Sequence, residues 1–162
     1  MVLLDPCDRV LLLQASDPAR PARGPWWELP GGGIEQGEPS GAAAARELYE
    51  ETGIDSVEMG PCVWRHHAVF SFGGFQFDQH EHVHVARSEG GEYRPAALEA
   101  LEAVAFRGAR WWPIDELADH VAAGGRLIPP WLVEQLPQVL GAGWPEQPID
   151  MGELGDLGQP GA

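Results

Sequence analysis

Short apolar runs alternate with turn-rich punctuation along the chain, and the period of each run predicts the element it forms. Residues 2–4 and 10–13 are apolar runs parted by Asp5-Pro6-Cys7-Asp8, which predicts a buried hairpin. Residues 17–25 carry Pro18, Pro21 and Gly24 among polar side chains and predict a loop. Over 40–52 a run of alanines leads into Arg, Glu, Leu, Glu and Glu, a composition that favours a helix. Ser40 stands where an N-cap would be and Gly53 where a left-handed residue would close the helix. Residues 57–70 and 72–77 read as strands, parted at Ser71 or bent at Gly73-Gly74. Gln79, Glu81, Val83 and Val85 then alternate with Asp78, His80, His82 and His84, so a strand there has two unlike faces.

The segment 88–102 is acidic and looped, with a helical turn around 96–103, and 109–114 is extended. Asp115 reads as the N-cap of a helix through Ala123, stopped by Gly124-Gly125. Pro129-Pro130 opens a second helix towards Leu140 that Pro137 should kink or end. Periodicity stops at Gly141, so residues 1–140 read as one domain. Residues 141–162 read as a loose Gly-, Pro- and acid-rich tail that packing or a homodimer partner could order. Strands and helices are mixed rather than strictly alternating, which predicts an α/β fold with a mixed sheet between helices.

Composition narrows the function. The formal charge of the 162 residues is −15, which argues against nucleic acid or an anionic membrane as partner. Every basic side chain is arginine, so lysine chemistry is excluded and a phosphate must be held by Arg, backbone amides or metal. Cys7 and Cys62 form no disulfide or metal pattern. Neither a signal peptide nor a membrane-length apolar run is visible, which leads to the expectation of a cytoplasmic protein.

Glu47, Glu50 and Glu51 lie at i, i+3, i+4, three carboxylates within one turn of one helical face. Each like-charged pair there costs roughly 0.2–0.5 kcal/mol on a bare helix. A hard divalent cation with oxygen ligands removes that cost. Ala43 and Ala44 leave the same face open, whereas Ala45, Leu48 and Thr52 point to a core. The three histidines of 80–84 invite a zinc reading, but a polar outward strand face accounts for them. Glu81, in line with Val83 and Val85, must be partnered or ligating if buried.

From Gly32 the chain reads G-x5-E-x7-R-E-U-x-E-E-x-G-U through Ile54, where U is a bulky aliphatic. This complete pattern resembles the signature of the Nudix hydrolases. The resemblance implies an α/β/α sandwich with a mixed sheet and a metal-dependent hydrolase. Such an enzyme cleaves the diphosphate linkage of a nucleoside diphosphate joined to another moiety, the class of NDP-sugars, ADP-ribose and (d)NTPs. It further implies Mg²⁺, with Mn²⁺ as substitute, held by Glu47, Glu50, Glu51 and the carbonyl of Gly31 or Gly32. Arg46 would orient the carboxylates and Glu38 would fix the loop. Gly31, Gly32 and Arg23 would lie against the substrate. The general base is left open among Glu102, Glu99 and Glu50, ahead of Glu92 and Glu81. No subfamily tag names the nucleotide. The alternative is a catalytically silent domain that binds a nucleotide metabolite. Such domains usually lose box glutamates, and none is lost here.

Overall fold

The structure, a computed structural model, describes residues 1–155. Strand β1 (Val2–Leu4) and strand β2 (Val10–Ala15) form the expected hairpin, with Leu4 opposite Val10. Both are buried along nearly their whole length, because their side chains serve two cores at once. Val2, Leu4, Val10 and Leu12 enter one apolar cluster, while Leu3 and Leu11 enter the other. A run without polar alternation is what a strand covered on both faces requires.

After a single 3₁₀ turn at Pro21–Arg23, strand β3 (Trp26–Glu28) pairs antiparallel with β2, setting Glu28 opposite Leu13. Helix α1 (Ser40–Thr52) follows a glycine-rich loop. Strands β4 (Glu58–Phe72) and β5 (Phe75–Arg87) then form one long antiparallel hairpin that turns at Gly73-Gly74, with no break at Ser71. Helix α2 (Ala100–Ala105), strand β6 (Phe106–Trp112), helix α3 (Ile114–Ala122), strand β7 (Leu127–Ile128), helix α4 (Leu132–Ala142) and strand β8 (Ile149–Leu154) complete the described chain.

The strands run in the order β7-β3-β2-β1-β5-β4-β8, with β6 also paired to β2. The β1–β5, β3–β7 and β4–β8 pairs are parallel and the rest antiparallel, so the sheet is mixed. Leu48 of α1 packs with Leu3 and Leu11 on one face. Leu117 of α3 and Leu132, Leu136 and Val139 of α4 pack with Trp64 and Val85 on the other. Two helical layers enclose one sheet: an α/β/α sandwich.

Several local expectations shift. Pro39, not Ser40, holds the cap position of α1, and the Ser40 hydroxyl lies 2.9 Å from His84 Nε2 instead. His84 is thereby buried against α1 rather than on a solvent face. Pro113 likewise takes the cap position of α3, so Asp115 falls inside its first turn. Helix α4 continues through Pro137 to Ala142. Within the stretch 141–162, Ile149–Leu154 pairs with β4, since backbone pairing at a sheet edge needs no apolar period. Residues 156–162 lie outside the described residues.

Gly53 closes α1 as expected, at φ 73°, donating its N–H to the Tyr49 carbonyl. A Cβ there would also collide with the Arg94 carbonyl oxygen. Gly53→Ala is therefore expected to destabilise the fold by about 1–3 kcal/mol in urea titration. Gly141→Ala, inside α4 with open space around it, should be neutral or stabilising by up to about 1 kcal/mol.

Candidate metal and phosphate site

Helix α1 presents Glu47 and Glu51 inward, both largely buried, with Glu50 half-buried beside them. The helix supplies the spacing, and the glycine loop supplies what faces it. Gly31 donates its N–H to Glu51 Oε2 at 2.7 Å. The Glu47 carboxylate occupies the space over Gly32, so close that a Cβ on that residue would lie 2.5 Å from it. A side chain there would push the Glu47 carboxylate out of place.

Arg46 ties loop and helix together. Its Nε donates to Glu38 Oε1 at 3.1 Å and its Nη2 to Glu38 Oε2 at 3.0 Å. Nη1 donates to Glu47 Oε1 at 2.8 Å and to Glu50 Oε2 at 3.3 Å, and Nη2 also reaches the Gly33 carbonyl at 2.8 Å. The hydrogen bond with Glu38, then that with Glu47, push Arg46 further up from its ordinary value. Glu38 in turn accepts the Glu35 N–H at 3.0 Å, which shapes the loop.

Glu51 borders a cleft of about 600 Å³, a volume suited to a nucleotide-sized ligand. Gly31, Gly32, Arg23, Glu51, Glu81, Glu99 and Glu102 all line it, whereas Glu92 lines a separate depression. Glu102 projects from α2, where its Oε2 also accepts the Glu99 N–H at 2.8 Å. Glu81 is held by His66 Nε2 at 3.1 Å and by Gln79 Nε2 at 2.9 Å. Burial works against its ionised form, but these two hydrogen bonds outweigh it and hold the carboxyl below its usual range.

Sequence reasoning passed over Glu28. It lies at the end of β3 in the cleft wall, accepts the Trp26 indole N–H, and shares the cleft with Glu51. Burial first, then Glu81 and Glu102, push its carboxyl up to about 7. Burial likewise pushes Glu51 up to about 9, with Glu28 and Glu102 adding to it. Glu47 is raised by burial too. The one sequence signal was an acid inside a short apolar strand, at a place where charge must be compensated.

Among the described residues, no three His, Cys, Asp or Glu side chains converge closely enough as they stand to be a formed metal cluster. The donor chemistry nonetheless fits a hard divalent cation. Three glutamates and a glycine carbonyl offer only oxygen, and Glu47 and Glu51 are both buried. No helix among the described residues is long and apolar enough to cross a membrane.

A family model described as the NUDIX domain matches residues 1–132. Over 33 residues, 20% of this chain and 19% of the relative, the sequence is 67% identical to an RNA pyrophosphohydrolase of Bartonella clarridgeiae. Over 121 residues it is 32% identical to a CMP-5'-(N-acetyl-N-hydroxy-3-aminopropyl)phosphonate hydrolase of Streptomyces rubellomurinus, covering 75% of this chain and 53% of that one. The chain thus spans between a fifth and about half of the length of these curated relatives. The solution structure of the E. coli ORF135 protein superposes with a TM-score of 0.57 over 90% of both chains, a likeness of fold at 22% identity.

The raised acids generate a prediction for the protein with divalent cations chelated. Unfolded, Glu28 and Glu51 ionise near 4.5, whereas folded they keep their protons to about 7 and about 9. At these two groups the folded state binds more protons in that window, so their contribution to stability falls as pH rises from about 4.5 to 9. The buried Met1 ammonium, lowered by burial to about 6, opposes the fall between about 6 and 8. The slope should be on the order of 1.4 kcal/mol per pH unit for each retained proton. Glu28→Gln should flatten the lower half of the decline, measured by urea titration at several pH values. An unchanged slope would place Glu28 in water rather than in the cleft wall.

Proposed function

The chain belongs to the Nudix family, and we propose that it hydrolyses the diphosphate linkage of a nucleoside diphosphate joined to another moiety. The observation that carries this reading is Glu51 bonded to the Gly31 N–H at the edge of a nucleotide-sized cleft, with the Glu47 carboxylate packed over Gly32 beside it. The relatives' names, an RNA pyrophosphohydrolase and a hydrolase of a CMP-linked phosphonate, both join a nucleotide to hydrolysis and support it.

Glu47, Glu50 and Glu51, with the Gly32 carbonyl, would hold the divalent cation, Mg²⁺ or Mn²⁺. When bound, such an ion stabilises charge on the phosphoryl oxygens and lowers the pKa of water. Arg46 keeps Glu47 and Glu50 oriented through its two Nη1 bonds, so its own role is positioning. The Gly31–Gly32 backbone can approach a diphosphate closely, and Arg23 offers a cation on the cleft wall. Water attacks one phosphorus, the bridging P–O bond breaks, and Glu102 on the cleft wall takes the water proton.

Turnover should appear with Mg²⁺ or Mn²⁺ in a chromatographic screen over ADP-ribose, NDP-sugars, canonical and oxidised (d)NTPs, and dinucleoside polyphosphates. Glu50→Gln is expected to lower it by about 100-fold or more, since it removes a charged ligand. Binding of a panel member with no hydrolysis of any would overturn the reading. The cation can be tested separately by heat. Mg²⁺ at about 100 Kd should stabilise the protein by ~2.7 kcal/mol, a gain that Glu50→Gln with Glu51→Gln should remove.

A further inference from the structure

Helix α2 carries Glu102 yet has only six residues, too few to hold a helix by its own bonds. Its neighbours hold it instead. The segment leading into it is tied to the last turn of α1. Ala96 and Ala97 donate their N–H groups to the Glu50 carbonyl at 2.8 and 2.9 Å, and Arg94 donates to the Thr52 carbonyl at 2.7 Å. These are carbonyls that a helix end leaves without partners of its own. At the far end of α2, Ser16 donates its N–H to the Ala105 carbonyl at 3.0 Å. From there the chain enters β6 and its pairing with β2.

Between those two ties one side chain meets the β4–β5 hairpin. Leu101, half-buried, packs on Gly73 so closely that a Cβ there would lie 2.7 Å from Leu101 Cδ1 and 3.0 Å from Cδ2. Gly73 is itself pinned. It sits at φ 59°, and its N–H donates at 3.1 Å to the carboxylate of buried Asp17, which also accepts the Ala19 N–H at 2.9 Å. The notch that takes Leu101 is therefore a fixed feature of the hairpin tip. Glu102, next in sequence, lines the cleft together with Leu101. A reciprocal cap fixes half of its carboxyl group: Oε2 accepts the Glu99 N–H, while the Glu99 side chain accepts the Glu102 N–H. The other carboxylate oxygen stays available to a proton.

We propose that Leu101, seated on Gly73, is a positioning residue for Glu102 and sets its distance from the carboxylates of α1. This rests on the hydrolase reading and on Glu102 as the group that takes the water proton. The tie to α1 falls on the backbone of Glu50, whose own carboxylate belongs to the cation-holding set. Base and ligands thus share one helix as their reference. The backbone ties leave α2 free to roll about its axis, and the Leu101 contact stops that roll. A proton passes only across a hydrogen-bond distance, so a displacement of about 1 Å costs on the order of 100-fold in rate.

The test is steady-state kinetics with Mg²⁺ on ADP-ribose, NDP-sugars, (d)NTPs and dinucleoside polyphosphates, read on each probe that turns over. Leu101→Ala should lower kcat by roughly 10- to 100-fold and leave KM within about twofold. Leu101→Met, which refills the notch, should restore most of that loss. In a Glu102→Gln background Leu101→Ala should cost nothing further, because the group it positions is gone. Hydrogen exchange on the full chain reads the contact without substrate. Leu101→Ala should speed exchange of the Ala103 amide, bonded to the Glu99 carbonyl, and leave the Ala96 and Ala97 amides protected. A loss just as large in the Glu102→Gln background, a rise in KM in place of the fall in kcat, or no rescue by methionine overturns the positioning role. So does exposure of Ala96 and Ala97, which would mean that the whole segment had come away. Unchanged kcat in Glu102→Gln overturns the base and its positioning while the hydrolase reading stands. No turnover of any probe by the unmodified protein overturns the hydrolase reading itself.

Discussion

One guanidinium carries most of the burden of assembling this site. Arg46 is the cation among Glu38, Glu47 and Glu50, and it reaches the Gly33 carbonyl as well. Its planar fork suits several acceptors at fixed angles, which a lysine could not match. Through it the loop before α1 and the inner face of α1 become one unit. Without that charge the helix would hold Glu47, Glu50 and Glu51 within a turn of each other with nothing to offset their repulsion. Arg46 does not reach the whole set, however. Glu51 accepts the Gly31 N–H and Glu28 the Trp26 indole N–H, yet burial keeps both raised.

The sheet exists to bring these groups to one place. β1 and β2 are buried on both faces and serve as the rigid centre, with α1 on one side and α3 and α4 on the other. Against that centre β3 sets Glu28 and the long β4–β5 hairpin sets Glu81. The hairpin changes character along its length. Near the core it carries His66 and Glu81, and towards its tip it carries aromatic pairs.

Much of the fold was legible because the signals were local. The β1–β2 hairpin follows from two apolar runs and a turn tetrad, and α1 with its Gly53 stop follows from composition and a left-handed glycine. Where the reading slipped, a neighbour distant in sequence had intervened. Ser40 turns from its helix to His84, 44 residues on, and a proline holds the cap position in its place. Likewise Ile149–Leu154 has no apolar period, yet its backbone finds partners along β4. An acid in line with Val83 and Val85 needs a partner, and strand pairing decides that the partner is His66.

The sequence by itself determined the family, the helix that presents Glu47, Glu50 and Glu51, and the arginine and glycines beside them. These depend on spacings within a single helix and loop, where geometry follows directly from residue number. Only the tertiary structure decided that Glu28, Glu81 and Glu102 share a cleft with Glu51, and that four phenylalanines line it. Those meetings depend on strand order, register and the pinned hairpin tip. Each is settled by the packing of the whole chain, and none leaves a periodic trace in the residues that meet.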